Sequence, residues 1–183
     1  GSGKTALILE RMRLLAGDVL YLSLSPFLVE NCRKVYHAHS YVNENQNIDF
    51  LSLKELIGTI AIPDSKEIDF RQFSTWFQRY RAQAKDADPY QVFEEFRGVI
   101  TGLADGRALL SHDEYLALGP KQSLFPAASR TKIYGIFEEY CKFLNKEGLY
   151  DPNLLAFSYL GISEASYDTI VIDEVQDFTS VQI

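Results

Sequence analysis

The sequence predicts an α/β fold, in which a parallel sheet is covered by helices and interrupted by a long helical insertion. Helix and strand patterns alternate over residues 1–65, which is the rhythm of a parallel α/β sheet. A buried-strand pattern returns near the end of the chain, and helical periodicity dominates between the two. The composition, with 46% hydrophobic and 23% charged residues, is ordinary for a globular protein.

The first elements of the sheet follow the opening residues "GSGKT". The stretch "TALILERMRLLAG" predicts a helix that ends at Gly17, with apolar side chains over a wide face. "DVLYLSLS" predicts a β-strand, and Ser25 with Pro26 predicts the cap and first turn of the next helix. "NIDFLSL" is a second, weaker strand pattern.

The middle of the chain, residues 66–160, is interpreted as a helical insertion without a convincing strand. Helical periodicity is present in "FRQFSTWFQRYRAQA", "PYQVFEEFRGVITGL" and "RTKIYGIFEEYCKFLNKEG". Ser111 and Glu114 have the spacing of a capping box at the start of a further helix. The aromatic stripe of Phe73, Trp76, Phe77 and Tyr80 suits base stacking, but a core face of the insertion is the favoured interpretation.

Charge and cysteine usage limit the classes of function. The 18 Lys and Arg against 25 Asp and Glu give a net charge of −7, which disfavours a nucleic-acid coat protein but allows a local basic groove. Cys32 and Cys141 have no metal-ligand spacing, which is typical of a reducing compartment, cytoplasmic or nuclear. No apolar run approaches the roughly 18 residues that a membrane helix needs, so no membrane partner is expected.

The opening "GSGKT" matches the end of the phosphate-binding pattern G-x-x-x-x-G-K-[ST], whose first glycine would precede residue 1. Backbone N–H groups of Gly1, Ser2 and Gly3 at a helix N-terminus would form an anion cradle. Lys4 would place a positive charge on the outer phosphates, and the Thr5 hydroxyl would bind Mg²⁺. Taken alone, the motif is also explained by a solvent-exposed Gly-Ser terminus.

A second motif follows the strand pattern "TIVI" near the end of the chain. Asp173 and Glu174 stand at the carboxyl end of this strand, where α/β sheets bind their ligands. Phosphoryl transfer to water needs a carboxylate that holds the metal and a group that handles the attacking water. Asp173 suits the first role and Glu174 the second. A solvated acidic loop would explain the pair alone, but the presence of both motifs favours a nucleotide site.

Together, the motifs resemble those of superfamily 1 helicases of the UvrD/Rep type. "DEVQDFTSVQ" is similar to the D-E-x-Q-D motif of that family, and "GSGKT" to the end of its first motif. "IYGIFEEYCKFLNKEGLYDPNLLAFS" resembles the segment ahead of the acidic motif. The resemblance implies part of a P-loop NTPase domain with a RecA-like parallel sheet. Residues 1–65 and 161–183 would belong to this sheet domain, and residues 66–160 would be its helical insertion.

The resemblance also implies ATP as the nucleotide and Mg²⁺ as its cofactor. The implied phosphate contacts are Gly1, Ser2, Gly3 and Lys4. Thr5 and Asp173 would hold the magnesium, and Glu174 would orient the attacking water. Gln176 would link the nucleotide site to nucleic-acid contacts, and Asp177 would complete the motif.

Single-stranded nucleic acid is the implied partner, with DNA favoured over RNA. "VLYLSLSPFLVEN" falls where the family has a strand-to-helix motif that touches this strand, which implies Ser23 and Ser25 as contacts. Ser52 is the one good match to the next motif. Leu24 replaces a base-stacking aromatic and Phe27 replaces a lysine. Because stacking contributes about 1–3 kcal/mol per base, these replacements would weaken or alter strand binding.

The implied activity is that of an ATP-dependent helicase, which couples Mg-ATP hydrolysis to single-strand translocation and unwinding. A second RecA-like domain, expected after residue 183, would complete the ATP site. Residues 1–183 alone are therefore expected to bind nucleotide weakly and to hydrolyse it negligibly. Two alternatives stay open: a P-loop ATPase switch that does not unwind, and a degenerate helicase-like module used for protein interaction.

Overall fold

A computed structural model describes residues 3–38, 43–60, 64–85, 87–104, 106–160 and 166–183. These residues form a mixed α/β structure with a small parallel sheet of three strands and many helices, which confirms the predicted α/β class. The chain divides into two compact units. The sheet unit comprises Gly1–Ile62 and Ile162–Phe178, and the helical unit comprises Pro63–Gly161 and Thr179–Ile183.

Among the described residues, the sheet unit contains three strands and three α-helices, and a 3₁₀ turn over Val175–Asp177 follows the last strand. In chain order they are α1 (Lys4–Met12), β1 (Gly17–Ser23), α2 (Pro26–Ala38), β2 (Gln46–Ser52), α3 (Leu53–Ile60) and, after the helical unit, β5 (Thr169–Ile172). The helical unit contains β3 (Lys66–Glu67), α4 (Phe70–Phe77), α5 (Pro89–Glu95), α6 (His112–Ala117), α7 (Ala127–Glu147), β4 (Leu149–Tyr150) and α8 (Pro152–Leu160).

Strand β1 is the centre of the sheet, with β2 parallel on one side and β5 parallel on the other. The register sets Ser23 beside Ser52 and Leu22 beside Ile172. Because parallel strands end at the same edge, the carboxyl edge gathers Ser23, Ser52 and the residue after β5, Asp173. The buried core of this unit consists of Leu9, Met12, Val19, Tyr21, Val29, Cys32, Tyr36 and Phe50.

Both strands predicted in the first part of the chain are present, and the predicted start of α2 is confirmed. The Ser25 hydroxyl accepts a hydrogen bond from the Leu28 amide at 3.3 Å, and Pro26 is the first helical residue. The predicted end of α1 at Gly17 is wrong, because the helix ends at Met12. Gly17 instead opens β1 with φ +81°, and a Cβ there would collide with the Asp168 carboxylate.

The helical unit has a hydrophobic core of its own. Phe73, Trp76 and Phe77 on α4 are buried in it, which confirms the interpretation of the aromatic stripe as a core face. The predicted capping box at α6 is also confirmed, since the Ser111 hydroxyl accepts from the Glu114 amide and the Glu114 carboxylate accepts from the Ser111 amide.

Two predictions for this part of the chain are wrong in detail. Strands β3 and β4 pair in parallel, although no strand was expected between residues 66 and 160. Each is two residues long, too short to leave an alternating pattern. Helices α4 and α5 are also shorter than their periodic patterns. The backbone continues as a 3₁₀ turn over Gln78–Tyr80 and as a π turn over Phe96–Ile100.

Within the described part of the chain, no helix combines the length and the apolar character needed to cross a membrane.

Candidate functional site

The N-terminus of α1 and the carboxyl end of β5 meet in the sheet unit, although 168 positions separate the residues in contact. Thr5 Oγ1 donates a hydrogen bond to Asp173 Oδ2 at 3.1 Å. Beside this pair, Lys4 Nζ lies 3.5 Å from Glu174 Oε2. The fold therefore brings the lysine and threonine of the first sequence motif against the aspartate and glutamate of the second.

Asp173 is the buried centre of this cluster, with 2% of the residue exposed. Its backbone amide donates to the Leu22 carbonyl at 2.9 Å, which fixes the main chain against β1. Its Oδ2 accepts from Thr5 and also from the Tyr21 hydroxyl at 2.8 Å. Its Oδ1 accepts from the Glu174 amide at 2.9 Å. Donors on both oxygens hold the buried carboxylate in one orientation.

Tyr21 is a member of the cluster that sequence reasoning missed. Its ring is fully buried on β1, and its hydroxyl accepts from Cys32 Sγ at 3.1 Å while it donates to Asp173. Burial, together with the hydrogen bonds to Cys32 and Asp173, raises the pKa of Tyr21, so the hydroxyl keeps its proton. Burial likewise raises the pKa of the Cys32 thiol. The sequence signal for this residue is a tyrosine within a buried-strand pattern, because a buried hydroxyl needs a hydrogen-bond partner.

Glu174 has a left-handed backbone conformation, with φ 54° and ψ 44°. Among the described residues it is the one non-glycine with a positive φ. This conformation costs about 1–2 kcal/mol for an ordinary residue, and such strain is concentrated at functional sites. The half-exposed carboxylate accepts from Gln176 Nε2 and faces Lys4. The strained turn thus presents an acid, with its partners, next to the start of α1.

Gly3 precedes α1 with φ +70° and ψ 2°. A Cβ at this position would meet no atom within 4 Å, so glycine is favoured here by the positive φ rather than by close packing. Because glycine has no side chain to cap the helix, the first-turn amides of α1 receive no side-chain hydrogen bond from it. Such amides bind anions. The other predicted phosphate contacts, Gly1 and Ser2, lie outside the described residues.

The oxygen atoms of this cluster fit magnesium. The Thr5 hydroxyl and the Asp173 carboxylate are hard donors, the chemistry that Mg²⁺ prefers. Proteins commonly hold this ion through one or two carboxylates together with substrate phosphates and water. Across the described ranges, no group of three or more His, Cys, Asp and Glu side chains could hold a metal ion by itself. Thr5 and Asp173 are thus the residues that could hold the ion, together with phosphate and water.

The three serines predicted to touch nucleic acid lie near the carboxyl edge of β1 and β2. Ser23 and Ser52 are buried, and Ser52 donates from its amide and hydroxyl to the Glu55 carboxylate at 2.7 and 2.8 Å. These two hydrogen bonds lower the pKa of Glu55. Ser25 is exposed, as is Phe27 on the first turn of α2, with 77% of the residue accessible. The nucleic-acid role of the serines stays a prediction.

Comparison with known proteins found no matching protein family, no matching curated protein and no matching solved structure. The functional interpretation therefore depends on the contacts described above.

Proposed function

We propose that the sheet unit is the Mg-ATP-binding part of a P-loop NTPase with a RecA-like sheet. In the intact protein it would serve an ATP-dependent nucleic-acid helicase. The hydrogen bond from Thr5 to Asp173 carries most of the support, since it joins the two sequence motifs across 168 positions. A chance Gly-Lys-Thr sequence has no physical reason to lie against the carboxylate that follows strand β5.

In this proposal the phosphates of ATP bind at the N-terminus of α1, where Gly3 and the first-turn amides face the anion. Lys4 neutralises the outer phosphates, while Thr5 and Asp173 hold the magnesium. The ion, when bound, would supply positive charge that neutralises the negative charge developing on the transferred phosphoryl group. Lys4 and Glu174 pair with each other at 3.5 Å. A phosphate that attracts Lys4 would release the Glu174 carboxylate for its own role.

Glu174 is the proposed base, which orients the attacking water and accepts its proton. Gln176 contacts the Glu174 carboxylate and so responds to its position. This contact supports a role for Gln176 in linking the nucleotide site to nucleic acid. The strained backbone at Glu174 fits a residue whose side chain must be held in place for chemistry.

The proposed partner is single-stranded DNA, with a second RecA-like domain completing the site. Phe27 offers an exposed aromatic surface at the start of α2, and bases stack on such surfaces. Cys32 and Cys141 are both free thiols, which supports a reducing, cytoplasmic or nuclear location. The alternative is an ATPase switch that does not unwind. The burial of Ser23 and Ser52 favours it, because buried hydroxyls do not reach a strand.

The test compares ATP binding by the full-length protein with and without the Lys4 side chain. We expect Lys4→Ala to weaken Mg-ATP binding at least tenfold, because the variant loses the cation nearest to the phosphates. Lys34→Ala is the matched control: this exposed lysine pairs with Glu30 on α2, and its loss should leave binding unchanged. Isothermal titration gives both affinities. Equal affinity in wild type and Lys4→Ala would contradict the proposed site.

A second measurement separates the two candidate functions. Stimulation of ATP hydrolysis by single-stranded DNA, together with strand separation in a forked-duplex assay, would support the helicase. Stimulated hydrolysis without strand separation would favour the switch.

A further inference from the structure

We infer that Tyr21 is a positioning residue for the magnesium-binding carboxylate of Asp173; this inference rests on the proposed function. Tyr21 belongs to neither of the two sequence motifs, and it lies on β1 rather than on α1 or β5. Its hydroxyl nevertheless donates to Asp173 Oδ2 at 2.8 Å, closer than the Thr5 hydroxyl at 3.1 Å. The shorter hydrogen bond to the carboxylate thus comes from the central strand.

The Tyr21 hydroxyl proton has one acceptor in this cluster, the Asp173 carboxylate. The hydroxyl donates its proton to the Asp173 carboxylate, whose Oδ2 is the acceptor. Cys32 donates its S–H to the tyrosine oxygen at 3.1 Å, which completes the surroundings of that oxygen. The chain of hydrogen bonds therefore runs from Cys32 through Tyr21 to Asp173, and each donor strengthens the next.

The tyrosine ring is a rigid support for this hydroxyl. It is 0% exposed, and its centroid lies 5.4 Å from that of Phe50 on β2. The two other donors to the carboxylate among the described residues have roles of their own in the proposed site. Thr5 would bind the ion, and the Glu174 amide belongs to the strained turn that follows β5. Of these three donors, Tyr21 is the one without another role in the proposed site, and its hydrogen bond fixes the orientation of the carboxylate plane.

This arrangement predicts a specific defect when the hydroxyl is removed. In Tyr21→Phe the ring stays, but Asp173 Oδ2 loses its shorter hydrogen bond, and the carboxylate is less firmly oriented toward the ion. Groups that orient metal ligands contribute about 10–100-fold to metal affinity. We therefore expect the gain in ATP affinity that magnesium provides to fall about tenfold in this variant. Binding of ATP in the presence of EDTA should not change, since among the described residues the Tyr21 hydroxyl is hydrogen-bonded to Asp173 and Cys32.

Tyr36→Phe is the matched control. Tyr36 lies in the same hydrophobic core and also packs against Phe50, at 5.4 Å between ring centroids, but its hydroxyl donates to Gln46 rather than to Asp173. ATP is titrated into wild type and both variants of the full-length protein, once with saturating Mg²⁺ and once with EDTA. The expected result is a reduced magnesium gain in Tyr21→Phe and an unchanged gain in Tyr36→Phe.

The outcomes separate the inference from the proposed function. If Lys4→Ala loses binding while Tyr21→Phe keeps the full magnesium gain, the function stands and the inference is overturned. An equal loss with magnesium and with EDTA would also overturn it, because it would show a structural role. A wild-type protein with no magnesium gain would overturn both.

A measurement on the wild-type protein covers the case in which Tyr21→Phe does not fold. Tyrosine labelled with ¹³C at Cζ reports hydrogen bonding of its hydroxyl, and the Tyr21 signal can be assigned through its contact with Cys32. Adding Mg²⁺ to the ATP-bound protein should shift the Tyr21 signal and leave that of Tyr36 in place. An unshifted Tyr21 signal would overturn the inference.

Discussion

The Glu174 carboxylate and the Lys4 ammonium face each other across 3.5 Å at a partly solvated position. An exposed pair of this kind contributes little to the free energy of unfolding, typically about 0–1 kcal/mol. Its removal should therefore alter chemistry more than stability. A Glu174→Gln substitution should keep the left-handed backbone at this position, since glutamate and glutamine have the same shape.

The first residue-scale prediction is that Glu174→Gln binds ATP as wild type does but hydrolyses it at least about 100-fold more slowly, the usual contribution of a general base. The amide can still orient water but accepts a proton poorly. Single-turnover hydrolysis and titration on the full-length protein measure the two properties. Glu10→Gln, an exposed change on α1, serves as control. Full hydrolysis by Glu174→Gln would remove the glutamate from the catalytic role.

The second concerns Glu114 at the start of α6. Hydrogen bonds from the Ser111 hydroxyl, Arg107 and the Ser111 amide lower the pKa of Glu114 to about 2. A carboxyl with a depressed folded-state pKa stabilises the fold above its unfolded pKa, about 4.3, and loses this effect as the pH falls toward 2. The difference in urea midpoint between wild type and Glu114→Gln should therefore be largest near pH 6 and shrink below pH 4.

A control isolates the capping contact from general acid effects. Asp113→Asn changes a neighbouring carboxyl whose side chain is 99% exposed, and at pH 6 its urea midpoint should differ from that of wild type by less than the midpoint of Glu114→Gln does. A pH-independent difference for Glu114→Gln would contradict the assignment.

At this scale, local contacts were predictable and distant ones were not. The Ser111–Glu114 box joins residues three positions apart, so its spacing is visible in the sequence. The contact of Tyr21 with Asp173 spans 152 positions and depends on the strand order. A tyrosine in a strand pattern indicates that its hydroxyl needs a hydrogen-bond partner, but the sequence does not identify that partner.

At the scale of elements, the loop that follows the acidic motif is tied to the N-terminus of α8. Asn153 is buried, and its Nδ2 donates to the Arg97 carbonyl at 2.6 Å and to the Thr101 hydroxyl at 3.0 Å. Its Oδ1 accepts from the Thr179 hydroxyl at 2.9 Å and from Gln182 Nε2 at 2.8 Å. The amide thus uses both of its donors and both acceptor positions.

We predict that Asn153→Ala lowers the free energy of unfolding of the helical unit by about 1–3 kcal/mol, because buried polar partners lose their hydrogen bonds. Urea unfolding followed by the fluorescence of Trp76, the single tryptophan of the chain, measures the change in this unit. Asn47→Ala, an exposed change on β2, should shift the Trp76 transition little. Equal midpoints for Asn153→Ala and wild type would contradict the prediction.

Helices and strands were predicted correctly where a hydrophobic pattern extends over several helical turns or several strand residues. Helix α7 follows a long apolar period, and β1 follows a run of strand-forming residues. The pair β3–β4 could not be predicted, since its pairing is decided by packing within the helical unit rather than by local propensity. At the early end of α1, the carbonyls of Met12, Arg13 and Leu15 accept hydrogen bonds from the side chains of Asn43 and Gln46, which is another tertiary effect.

At the scale of the whole molecule, each unit has its own hydrophobic cluster. The helical unit buries an aromatic core, with Phe73, Phe77, Phe96, Phe137 and Tyr140 each at most 1% exposed. A core of this kind is what an independently folding domain requires. The α/β class was predictable because the alternation of elements is a property of the sequence, but the strand order is a property of the fold.

We predict that residues 63–161, expressed alone, fold into a helical domain with cooperative unfolding. Its stability should be below that of the same unit in the whole chain, since Asn153 loses its hydrogen bonds from Thr179 and Gln182. Far-ultraviolet circular dichroism and Trp76 fluorescence give the test. A longer fragment that carries 179–183 through a short linker is the control. A coil-like spectrum for 63–161 would contradict the prediction.

The pairing of β1 with β5 also determines the order in which the protein can assemble during synthesis. The amide of Asp18 bonds to the carboxylate of Asp168, 150 positions later. On the ribosome, α1 and β1 emerge before the helical unit, and residues 63–161 of that unit, whose helix contacts are more local, are synthesised before β5 exists. The contact between Thr5 and Asp173 is therefore made at the end of translation of this segment. A nascent chain halted before residue 169 already contains Thr5 and Tyr21, but not yet the carboxylate that both of them bind.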